Sequence, residues 1–77
     1  MSRAYVLISV KNPGQVKATA NHLSEKKGVV SAEVIFGPYD IIAVIEGQDL
    51  RELSSTVIND LYDLDHIQGS TTCIVTE

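Results

Sequence analysis

The sequence predicts an α+β sandwich in the element order β-α-β-β-α-β, and three observations predict it. Four short runs, Ala4–Val10, Val29–Phe36, Ile41–Ile45 and His66–Thr76, are rich in β-branched and apolar residues, as strands are. Two intervening stretches, 13–27 and about 50–62, repeat apolar residues at intervals of three and four, the period of one helix face. Gly, Pro, Asn and Asp punctuate the joints.

Taken in order, the first run, Tyr5-Val6-Leu7-Ile8-Ser9-Val10 with Ala4 before it, stops at Lys11-Asn12-Pro13-Gly14. Asn12 stands where an N-cap belongs, and Pro13 stands where the first helical residue has no partner for an N–H. Val16, Ala20 and Leu23 form the apolar stripe of the first helix, and Lys26-Lys27-Gly28 ends it with cations and a terminal glycine. In the second strand Val30, Ala32, Val34 and Phe36 alternate with Val29, Ser31, Glu33 and Ile35, leaving one face more polar, which suits an outer strand. Gly37-Pro38-Tyr39-Asp40 is a short hairpin connection, and the unbroken apolar run after it predicts a third strand buried on both faces. Asp49 with Glu52 three residues later makes a capping box for the second helix, whose stripe is Leu50, Leu53, Val57, Ile58, Leu61 and Leu64. The last strand carries Gly69 as a bulge or bend.

Two right-handed crossovers on one face of a four-stranded antiparallel sheet give a ferredoxin-like fold with strand order 4-1-3-2. Two helices cover one sheet face. Strands 1 and 3 are nonetheless apolar at both parities, with Tyr5, Leu7 and Ser9 opposite Val6, Ile8 and Val10. The second face therefore calls for a cover, and the economical one is the same face of another copy, an isologous dimer of the α/β-barrel type. The pattern leaves open which parity faces the helices.

Composition narrows the classes of function. With 77 residues the chain forms one domain, residues 1–77. At 44% hydrophobic and 21% charged it is too apolar for disorder. It has no uncharged run long enough for a membrane span. Its net charge is −4, and its six Lys and Arg are scattered, which argues against direct nucleic-acid binding. Cys73 is the single cysteine, which suits a reducing compartment, and Met1-Ser2-Arg3 leads directly into a strand without a secretory pattern. The expected location is cytoplasmic.

The stretch GPYDIIAVIEG, then a helix, then HIQGSTTCIVT resembles the effector-binding (RAM) module at the C-terminal end of Lrp/AsnC-family transcriptional regulators. The matching positions are Gly37 and Asp40 in the hairpin and Ile67, Ser70 and Thr72 in the last strand, with Ser in place of Thr at the first hydroxyl. The resemblance implies a stand-alone module without a DNA-binding domain, with an amino-acid effector held between dimers of a ring near the hairpin. It implies a homodimer that assembles into an octamer or decamer ring, and co-assembly with full-length Lrp/AsnC regulators. An α-amino acid presents an ammonium and a carboxylate. Asp40 would take the ammonium, backbone N–H groups near Gly37 with the hydroxyls of Ser70 and Thr72 would take the carboxylate, and Tyr39 would cover the side chain. The structural alternatives are an Asx-type bond from Asp40 to its own hairpin and a left-handed turn at Gly37.

Other signals carry less. His22 and His66 lack metal-ligand spacing, so no metal and no cofactor are expected. Asp60, Asp63 and Asp65 read as a solvated acidic loop, and Cys73 reads as a small strand residue without an activating set. No residue pattern points to an enzyme. Two alternatives are an ACT-like regulatory domain, for which Pro13-Gly14 after strand 1 speaks, and a small dimeric ferredoxin-like enzyme. The 5% aromatic content and the lack of an acid–base pair speak against the enzyme.

Overall fold

The computed structural model describes residues 1–61 and 66–76, with the side chains of Ile58 and Asp60 excepted. The expected places of Ile58 and Leu64 in the helix stripe, and of Asp60, Asp63 and Asp65 in an acidic loop, lie outside the described residues. The elements follow the expected order: β1 (Ser2–Val10), α1 (Val16–Ser24), β2 (Val29–Val34), β3 (Ile41–Gly47), α2 (Leu50–Thr56) and β4 (Ile67–Ile74). The sheet order is β2-β3-β1-β4, which is the order 4-1-3-2, and every neighbouring pair is antiparallel. The two runs without polar alternation occupy the centre, where both neighbours and one packed face demand apolar side chains.

Register settles the parity that the sequence leaves open. The pairs Ala4↔Ile45, Val6↔Ala43 and Ile8↔Ile41 are buried, and they form one core with Val10, Ala20, Leu23, Leu53, Val57 and Leu61. The pairs Tyr5↔Val44 and Leu7↔Ile42 stand on the other face, half-buried and uncovered by either helix. The molecule is thus two layers with one apolar sheet face open.

The helices differ from expectation at their ends. Asn12 Oδ1 accepts the Gly14 N–H at 2.9 Å, but the first turn, Pro13–Gln15, is a 3-10 turn, and the α-helical part spans Val16–Ser24. Gly28 has φ +90°, a region that favours glycine, and a Cβ there would lie 3.2 Å from Thr56 Oγ1. Asp49 caps α2 by accepting the Glu52 N–H at 2.9 Å, and a wider π turn, Val57–Leu61, extends the helix. Leu50, expected in the apolar stripe, is 54% exposed, because the first turn of α2 overhangs the core that begins at Leu53.

β2 is the outer strand the pattern implies, but its simple alternation is broken. A register shift between Val29 and Ser31 places Val29 and Ala32 together against the core and leaves Val30 exposed, while Val34, paired with Ile41 on the core side, is exposed at the end of the strand. Phe36, expected on the same face as Ala32, lies past the end of the strand and is fully exposed. One extra residue reverses the parity of everything before it. The bulge expected at Gly69 occurs beside it: Ser9 pairs with Gly69 and Val10 with Ile67, leaving Gln68 as the extra residue.

Candidate functional site

The connection between β2 and β3 closes with a backbone bond from the Ile35 N–H to the Asp40 carbonyl, 2.9 Å. Gly37 has φ +153° within it, and a Cβ there would meet no atom within 4 Å. Glycine is needed at this turn for its backbone conformation and not to relieve crowding.

Asp40 fastens this loop to the end of β1. Its N–H donates to the Ile8 carbonyl at 2.8 Å, and its Oδ2 accepts the Val10 N–H at 2.9 Å. β3 begins only at Ile41, so the Val10 N–H has no main-chain acceptor from that strand, and the carboxylate supplies one. The alternative Asx-type bond to its own hairpin is not what the side chain makes; its partner belongs to β1, 30 residues away. Among the described residues Oδ1 has no partner, so one carboxylate oxygen is oriented by the protein and the other is available.

Tyr39, the neighbouring residue, reaches to β4, where its hydroxyl lies 2.8 Å from Thr71 Oγ1. Thr71 pairs with Leu7 and therefore stands on the open face. Ser70 and Thr72 pair with Ile8 and Val6, whose side chains are core, and so stand on the helix face. Within one chain the five expected residues therefore form no single pocket. Asp40 and Ser70 also flank β1 on opposite sides, roughly 10 Å apart at two strand spacings. The Ser70 hydroxyl is shielded from solvent without a hydrogen-bond partner among the described residues. Thr71 was not singled out by the sequence, because only the parity of β4 distinguishes it from its neighbours.

At the other end of the open face Arg3 and Glu46 form a cross-strand ion pair, with Arg3 Nε donating to Glu46 Oε2 at 2.9 Å. This bond to Glu46 raises the guanidinium above its ordinary value. Two shallow grooves of about 360 and 340 Å³ lie near this end, around Gly28 and Glu52, and neither contains any of the five residues. Among the described residues no three His, Cys, Asp or Glu side chains group as metal ligands, and no helix is long and apolar enough to cross a membrane.

The family model of the Lrp/AsnC ligand binding domain matches residues 3–77. The chain belongs to this family. Among solved structures, this Lrp/AsnC domain is similar to TTHA0845 from Thermus thermophilus, with 26% identity and a TM-score of 0.92 over 100% of this chain and 95% of that one. It also resembles E. coli AsnC, with 22% identity and a TM-score of 0.89 over 99% of this chain and 51% of that one. A third is the transcriptional regulator NMB0573 of Neisseria meningitidis in complex with L-Met, with 17% identity and a TM-score of 0.84 over 99% of this chain and 50% of that one. At the identities of the last two the likeness is one of fold. No curated protein gives a significant match. Family membership decides between the two regulatory alternatives: the domain is of the Lrp/AsnC type and not the ACT type. The Lrp/AsnC domain is a ligand-binding part of transcription regulators.

Proposed function

We propose that this Lrp/AsnC domain senses an α-amino acid and modulates transcription or amino-acid metabolism through its state of assembly, without catalysing a reaction and without reading DNA itself. The observation that carries this reading is the family match over residues 3–77. It is supported by the L-Met complex of the Neisseria regulator of the same fold. Two copies pack their open sheet faces together, and such dimers assemble further into an octamer or decamer ring or with full-length Lrp/AsnC regulators. The half-buried strip of Tyr5, Leu7, Ile42 and Val44 supports the first contact.

The effector sits at the β2–β3 loop. Asp40 Oδ1 accepts its ammonium while Oδ2 stays on Val10, and backbone N–H groups near Gly37 meet its carboxylate. Tyr39 covers its side chain. Ser70 and Thr72 lie on the far side of β1 from this loop, so the hydroxyls that complete the pocket come from a neighbouring copy.

Titration calorimetry of the purified domain against each of the twenty amino acids tests the reading. At least one is expected to bind with a Kd in the micromolar to millimolar range, roughly 4 to 8 kcal/mol. Heat signals at the dilution baseline for all twenty would reject it.

A further inference from the structure

Residues 39 and 40 are adjacent in the chain yet are fastened to different strands. Asp40 is bound to the backbone of β1, whereas Tyr39 is bound to Thr71 on β4. Because β1 lies between β3 and β4, the Tyr39 side chain must cross it. Thr71 pairs with Leu7 on the open face, so the Tyr39 hydroxyl meets it on that face. The crossing therefore runs over the side of the sheet that no helix covers. There the half-buried ring closes one end of the strip formed by Tyr5, Leu7, Ile42 and Val44, and the Arg3–Glu46 pair closes the other.

We propose that Tyr39, held in place by Thr71, is part of the surface on which two copies of this chain meet, so that the loop carrying Gly37 and Asp40 is mechanically tied to the dimer interface. This rests on the dimer reading above. The occupant of the face is a second copy for two reasons. A stable interface takes roughly 800 Å² from each partner, about a sixth of the 5004 Å² this chain exposes, and a four-stranded face supplies an area of that order. The polar groups at the two ends of the strip are also paired within the chain, Tyr39 with Thr71 and Arg3 with Glu46, so the centre of a like face can approach without stranding them, while the exposed Glu33, opposite Ile42 on the outer strand, stays at the rim. Tyr39 then links two events. A ligand that draws the loop toward itself displaces the ring from the interface, and an interface that fixes the ring fixes the loop.

The test is a dilution series by fluorescence-detected sedimentation on the wild-type domain, Tyr39→Phe, Thr71→Val, Thr71→Ser and the double variant, each first checked for a folded circular-dichroism spectrum. Removing either hydroxyl is expected to weaken the dimer about twofold to tenfold, the range of one hydrogen bond. The double variant should be no weaker than the weaker single one, because both changes delete the same bond. Thr71→Ser should restore the wild-type constant. A wild-type dimer whose constant none of these changes alters, or whose losses add in the double variant, overturns the role of Tyr39 alone. A wild-type chain that stays monomeric overturns the dimer reading together with it. A second measurement needs no variant: amide exchange of residues 35–40 should slow as wild-type concentration rises through the dimer constant. Exchange independent of concentration across a demonstrated monomer–dimer transition also overturns the proposal.

Discussion

Asp40 is one side chain with one observed contact and one proposed role. Its bond to the Val10 N–H is a contact of the folded chain, and a hydrogen bond with a charged partner is worth roughly 1.5–3 kcal/mol. Its charge is what an ammonium would recognise. Asp40→Ala removes both, so chemical denaturation should register a loss of about 1–3 kcal/mol and effector affinity should fall about tenfold to a hundredfold. Asp40→Asn keeps a carbonyl oxygen for Val10 and loses the charge. It is expected to unfold near the wild-type midpoint while binding the effector as weakly as the alanine variant. Wild-type affinity in a folded Asp40→Asn domain would leave Asp40 as the acceptor that finishes β1.

At the scale of elements, β1 and β3 are each two-sided, with one side packed under the helices and the other left uncovered. Ile8 is fully buried beneath the helices, whereas Val44 is half-buried on the open face. Ile8→Glu places an unpaired carboxylate in the core and is expected to cost several kcal/mol and abolish cooperative unfolding at room temperature. Val44→Glu leaves the core intact, so circular dichroism should remain native while light scattering reports a monomer. A dimer of wild-type mass for Val44→Glu would mean that the open face is not the contact. Both outer strands also carry a bulge, β2 after Val29 and β4 at Gln68, which discourages open-ended edge pairing and favours face-to-face association.

At the scale of the whole molecule, charge bears on whether the domain could read DNA. The chain carries a net −4, and Arg3 is engaged by Glu46, so phosphate contacts have no continuous basic surface to form on. The isolated domain is therefore expected to leave a duplex unshifted in a mobility assay at about 50 mM salt. A salt-sensitive shift by the pure domain would contradict this. Assembly is where the site is expected to become whole, since Asp40 and the Ser70 and Thr72 hydroxyls lie on opposite sides of β1 within a single copy.

The order of elements, the central place of β1 and β3, the outer place of β2, and the caps at Asn12 and Asp49 were legible in the sequence, because each depends on residues within a few positions of one another. So was the short Gly37-to-Asp40 connection between the two strands, through its Gly and Pro. The parity of β1 and β3 was not legible, because alternation carries no sign when both sets of side chains are apolar. The shift in β2 was hidden for a related reason: one extra residue changes which valines are buried without changing composition. Asp40 on Val10 and Tyr39 on Thr71 are contacts across 30 and 32 residues, fixed by strand register alone. Register likewise placed Ser70 and Thr72 on the helix side and Thr71 on the open face. The local chain chose the residues, and the pairing of β1 with both neighbours chose the face each one serves.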